Sequence, residues 1–186
     1  MNAIIDTSSL LAFVRYYLPF DTNSILKNLL KEKFESGELI IIDKIYYEVK
    51  GIAKGIVISE LEFLSDKSKH IKTENIYPNA KFFAMLEDNY CNKVIKKAKG
   101  ITDVEFEQAK KEYLEDADAK MILYALEHIS DIEFTTPLIV TEETKSGNDN
   151  KLFRKIPDIC DISSIPHCTL QELLKDHYKV DITFKL

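Results

Sequence analysis

The segment Ala3-Ile4-Ile5-Asp6-Thr7-Ser8-Ser9-Leu10-Leu11 carries the reading of the fold. Three consecutive apolar residues are too few to fill a helix and suit a strand covered on both faces. Asp6, Thr7, Ser8 and Ser9 are residue types that cap helices. The strand therefore runs directly into a helix, expected over about residues 9–17 and stopped before Pro19. The same order recurs downstream. A helical stretch is expected over 22–34 and is closed by Gly37, and the apolar run 39–42 is a second buried strand. Asp43 then caps a short helix containing Glu48. Leu138-Ile139-Val140 is a third buried strand, ending at Thr141-Glu142-Glu143. Short, continuously apolar strands separated by helices define an α/β fold with a mostly parallel central sheet.

The rest of the chain reads as follows. Helices are expected over 52–64 and 80–97. Thr102 with Glu105 and Thr169 with Glu172 make capping boxes that open two more. The helix opened at Thr102 continues to His128 or restarts near Asp116. A fourth strand is expected within 162–168, and the alternating tail 178–184 suits an edge strand. The length, 186 residues with 45% hydrophobic, fits one domain over 1–186 with a core of its own. There is no run of 18 apolar residues, so no membrane span is expected. The first residues lack the charged start of a secretion signal. Three cysteines, Cys91, Cys160 and Cys168, then read as free thiols in a reducing cytoplasm. A net charge of −6 excludes a protein that holds nucleic acid by bulk charge.

In parallel sheets ligands sit at the carboxyl ends of the strands. Asp6 follows the first strand directly, and Glu143 follows the third. Glu48 lies in the helix after the second. Asp118 shares the helical spacing of Leu114, Met121, Ile122 and Ala125 and so faces the core, where a carboxylate is costly unless paired. Lys120 is on the wrong face to pair with it, whereas Glu115 and Glu127 can reach water. Like charges at ~4 Å cost about 1 kcal/mol per pair in water and about 4 at an effective dielectric of 20. A shared divalent cation would relieve that repulsion. An all-oxygen set favours Mg²⁺ or Mn²⁺, and the chemistry that follows is assisted attack of water on a phosphodiester. Asp43 and Asp116 read better as caps, and Glu142 competes with Glu143 for one role.

These residues resemble the PIN-domain nucleases, and among them the VapC-like toxins. IIDTSSLL is similar to the family's opening strand and Asp-Thr-Ser motif, and residues 42–49 with Glu48 to its second. Asp118-Ala119 through Ala125-Leu126 is similar to the third motif. Val140-Thr141-Glu142-Glu143 is similar to the fourth, with Glu143 where Asp is commoner. The run 155–160 resembles an uncharacterised PIN-like branch. The resemblance spans residues 2 to about 174, with 65–112 as a helical insertion. It implies a three-layer αβα fold and an endoribonuclease using Mg²⁺ or Mn²⁺. Asp6, Glu48 and Asp118 would be metal ligands, and Glu143 would complete a weaker site. It also implies RNA as substrate, a cognate antitoxin as partner and a homodimer.

Substrate contacts are expected among Arg15, Lys44, Lys145, Lys151 and Arg154, unranked. The lysines at 93, 96, 97 and 99 read as a solvated helix face. A zinc site from Cys91, Cys160, His167 and Cys168 matches no ligand spacing. A dehalogenase-like phosphatase would need Asp where Ser8 stands. A PIN-like scaffold that binds RNA or protein without cutting is the remaining alternative.

Overall fold

The computed structural model describes residues 2–129, 136–145 and 150–181. Four parallel strands form its sheet: β1 (Ala3–Ile5), β2 (Leu39–Ile40), β3 (Leu138–Val140) and β4 (His167–Cys168), in the order β2-β1-β3-β4. Every residue of β1 is fully buried, as is nearly all of β3. Successive strand residues point to opposite faces, so unbroken burial means that helices cover both faces. This is the helix-flanked parallel sheet expected from the apolar runs. No helix among the described residues is long and apolar enough to cross a membrane.

The helices are α1 (Thr7–Ala12), α2 (Ile25–Ser36), α3 (Asp43–Gly51), α4 (Ile56–Glu60), α5 (Ala80–Met85), α6 (Lys93–Ala98), α7 (Asp103–Glu115), α8 (Ala117–Ile129), α9 (Ile156–Ser163) and α10 (Leu170–Glu172). Both capping boxes form, at Thr102/Glu105 and Thr169/Glu172. Gly37 ends α2 in the left-handed region (φ +80°), which a Cβ would strain.

Several expected elements differ. The stretch 52–64 is broken because Ala53, Lys54 and Gly55 all have positive φ, and α4 begins afresh after them. The stretch 80–97 breaks at Cys91 and Asn92, where the Asn92 side chain caps α6 by accepting from the Ile95 N–H. Pro19 sits inside a short 3₁₀ turn, Leu18–Phe20, and does not end the helical run. The fourth strand shrinks to two residues because α9 occupies residues up to 163. Of the expected tail strand, residues 182–184 lie outside the described residues, and 178–181 form no strand.

The helix carrying Asp118 restarts. Asp116 has extended backbone (φ −73°, ψ 155°) between α7 and α8, and its carbonyl accepts from the Lys120 N–H. Leu114 therefore belongs to the preceding helix, although Asp118 still lies on the same helix as the buried Met121, Ile122 and Ala125. Asp43 is the first residue of α3, and its carboxylate accepts from the Thr73 hydroxyl (2.6 Å) and N–H, tying the helix-rich segment 65–112 to the sheet edge. Lys120, which the spacing only placed away from Asp118, is buried; its ammonium donates to the Ile76 carbonyl (3.0 Å) and pairs with Glu115.

Candidate functional site

From β1 the chain moves to one side for β2 and returns to the other for β3 and β4. The strand order therefore reverses between β1 and β3, and their carboxyl ends form the crevice where such sheets bind ligands. Asp6 leaves β1 there, its N–H bonded to the Val140 carbonyl (3.0 Å), and Thr141 leaves β3 beside it.

Asp6 is buried and is the N-cap of α1. Its carboxylate accepts from the Ser9 N–H (2.7 Å), the Ser8 hydroxyl (2.7 Å) and the Thr141 hydroxyl (2.6 Å). Burial pushes its pKa up, and the three donors, Thr141 foremost, oppose that shift. Thr141 also accepts from the Glu143 N–H (3.1 Å), so one hydroxyl links the ends of β1 and β3. We expect Thr141→Val to cost about 1.5–3 kcal/mol in urea unfolding, the range for a hydrogen bond to a charged group. Thr141→Ser should recover most of it, and a Val variant as stable as the parent would refute this role.

Glu48 is exposed on α3 and accepts from the Thr7 hydroxyl (2.5 Å), which brings the helix after β2 against the one after β1. Glu143 is mostly covered: it accepts from the Lys151 ammonium (3.1 Å) and the Ile156 N–H (3.1 Å). Glu142 is exposed, yet accepts from the Leu170 N–H (2.8 Å) at the start of α10. Of the two candidates, Glu143 faces the other acids.

Asp118 stands apart from these. No hydrogen bond reaches its carboxylate among the described residues, and its pKa is pushed up to about 7. Burial is the main cause; repulsion from Glu143, then from Asp6 and Glu48, adds to it, and Lys151 opposes. The structure thus brings the four acids read from the sequence into one electrostatic neighbourhood. It does not assemble them: among the described residues, no group of three or more His, Cys, Asp or Glu is arranged to hold a metal ion. Asp6, Glu48 and Glu143 each turn to a hydroxyl, N–H or ammonium donor, while Asp118 has none. The donor chemistry of an all-oxygen set is the kind that Mg²⁺ or Mn²⁺ prefers.

Two further residues belong here. Tyr113 is buried, its hydroxyl has no partner among the described residues, and its pKa is pushed well above the usual value by burial and then by Asp118. It precedes Asp118 across the helix break; its spacing from Phe106 and Ala109 signals a buried position on α7, and nothing in the sequence signals a link to Asp118. Asp116 is exposed as a residue but its carboxyl is partly covered, and its pKa is also raised, by that partial burial first and then by repulsion from Glu48. The cysteines form no disulfide: Cys91 and Cys160 are buried, and Cys168 is partly so.

Fold and site together define a parallel α/β domain with an acidic crevice where the strand order reverses. A family model described as "Domain of unknown function (DUF4411)" matches residues 4–180, and the chain belongs to that family. No curated protein and no solved structure matches the chain.

Proposed function

We propose that this chain is a Mg²⁺- or Mn²⁺-dependent endoribonuclease that hydrolyses RNA phosphodiesters, as the resemblance to PIN-domain nucleases implies. The observation that supports this most is Asp118: a carboxylate that no donor reaches among the described residues, raised by burial and by repulsion from Glu143, Asp6 and Glu48. Such a group is stabilised by a proton or by a cation. Asp6, Glu48 and Asp118 would hold the cation, with Glu143 at the rim. A divalent ion there would activate water and offset charge on the scissile phosphate. Ser8 and Thr141 fix the Asp6 carboxylate, Thr7 fixes Glu48, and Lys151 offsets the charge of Glu143.

The four histidines are scattered along the sequence and none adjoins an acidic motif, so the carboxylates are the coherent acid–base set. Fragments should carry a 5′-phosphate and a 3′-hydroxyl when RNA is digested with Mg²⁺ or Mn²⁺. EDTA should stop the reaction. Cleavage that persists in EDTA, or ends bearing a 2′,3′-cyclic phosphate, would overturn the mechanism.

One observation favours a second reading, a PIN-like scaffold that binds RNA or protein without cutting: the acids do not stand as a ready metal cluster. A Mn²⁺ titration separates the two, since a scaffold should bind the ion weakly or not at all. The proposal extends to a toxin acting in the cytoplasm, restrained by a cognate antitoxin and working as a homodimer. The resemblance supports that extension, and three unpaired cysteines suit a reducing compartment.

A further inference from the structure

We infer that the groove beside the acidic crevice seats one unstacked nucleotide of a single-stranded RNA, with its base on Tyr16 and its phosphate on Arg15. This deepens the ribonuclease reading and rests on it. The groove encloses about 570 Å³ and is lined by Ser8, Arg15, Tyr16, Tyr17 and Glu142 among others. That volume lies within the ~300–1,000 Å³ of ordinary ligand sites. The Ser8 hydroxyl joins groove to crevice: it donates to Asp6 and accepts from the Glu142 N–H (3.0 Å).

Among the described residues three helices widen into π-turns, at Phe13–Tyr17, Leu86–Tyr90 and Leu173–His177, and the first contributes Arg15, Tyr16 and Tyr17 to this groove. After Ala12, α1 widens into a π-turn over Phe13–Tyr17, closed by the Leu18 N–H on the Phe13 carbonyl. Such wide turns concentrate at functional sites. Phe13 and Val14 are buried on its inner side, and Tyr17 stacks on Phe13 with ring planes 14° apart, making a firm wall. Tyr16 remains 67% exposed. Every base offers a π face, so an exposed ring can hold one whatever the sequence.

Arg15 is singled out by elimination. Lys44 pairs with Glu115, Lys145 with Asp161 and Lys151 with Glu143, while Arg154 donates to the Asn89 carbonyl. Arg15 is exposed and has no ion pair or hydrogen bond among the described residues. In a chain of net charge −6, contact with RNA must come from few, local groups. Three of the four lysines in the denser cluster are engaged: Lys93 pairs with Asp88, Lys96 with Asp103, and Lys99 donates to the Asn150 carbonyl.

The test is fluorescence anisotropy of a labelled single-stranded oligoribonucleotide with the full chain in EDTA, where binding is read without cleavage. Tyr16→Ala should weaken binding about tenfold, with Tyr16→Phe close to the parent. Arg15→Ala should weaken binding and lower the slope of log affinity against log salt by about one. An abasic strand should bind the parent and Tyr16→Ala alike. If the parent does not bind the strand, or if Tyr16→Ala and Arg15→Ala both bind it as the parent does, the groove assignment is overturned, and the nuclease reading is judged separately by cleavage in Mg²⁺. If Tyr16→Ala loses affinity for the base-bearing strand alone while the parent never cuts RNA, the groove stands and the nuclease reading falls.

Discussion

Asp118→Asn is expected to reduce metal-dependent RNA cleavage by about 100-fold or more while the protein folds normally. Losing a partner one step removed from a metal costs about 10–100-fold, and a direct ligand should cost no less. Asn keeps the shape of the side chain and removes its charge. Because no donor reaches this carboxylate among the described residues, the substitution breaks no hydrogen bond. Glu127, exposed on the same helix, supplies the control, and Glu127→Gln should cut RNA as the parent does. An Asn variant that cleaves at parental rates would remove Asp118 from the chemistry. One that fails to fold would give it a structural role and weaken the nuclease reading.

The second large effect is on stability, measured in EDTA as the difference between Asp118→Asn and the parent. The folded carboxyl titrates at about 7 and the unfolded one near 3.8. Between those values the native state holds a proton that the unfolded state has released, so this group's contribution falls as pH rises. The penalty is absent below about pH 4, grows through pH 5 and 6, and is complete somewhat above 7. A shift of about three pKa units corresponds to on the order of 4 kcal/mol; partial solvent access lowers that figure. The Asn variant should therefore match the parent near pH 4 and exceed it in melting temperature at pH 8. Saturating Mn²⁺ should narrow that gap, raising the parent by about 2.7 kcal/mol at a hundred times the dissociation constant and the variant by much less. A difference that is flat from pH 4 to 8 would show that the carboxyl is not repelled in the native state.

The parts of the molecule legible in the sequence are those fixed by local pattern. The runs at 3–5 and 138–140 are apolar on both faces and could only be buried strands. The two capping boxes name their own helix starts. The places of Asp6 and Glu143 were legible because the apolar runs that end at residues 5 and 140 are strands, and both residues follow them closely. Apolar periodicity carries no information about backbone sign, and this explains the misreading of 52–64. Gly51 and Gly55 flank the break, but Ala53 and Lys54 between them adopt positive φ, which their residue types do not announce. The interruption at Asp116 was one of two readings left open, since an Asp serves equally as a helix residue or a cap. Burial of Lys120 and isolation of the Tyr113 hydroxyl depend on what packs over them from segments distant in sequence. The disposition of the acids was also hidden. Repulsion argued for a shared ion, whereas the side chains of Asp6, Glu48 and Glu143 each find a nearby donor instead.

The pairing of Ile42 with Ile71 determines what the sheet offers to other chains. The Ala3 N–H bonds the Glu38 carbonyl, so by alternation the groups of residue 41 point away from β1, and the Ile41 carbonyl there accepts from the Ile71 N–H. The Ile71 carbonyl in turn accepts from the Asp43 N–H (3.0 Å), and Thr73 on Asp43 clamps the connection. A single residue thus stoppers the outer margin of β2. An unpaired strand margin is a template for cross-chain β-addition, the usual opening for aggregation and for partners that dock as an extra strand. Here residues 41–43, just past the carboxyl end of β2, spend those groups on Ile71, so a second copy or a regulatory protein could add a strand at that end only by displacing it.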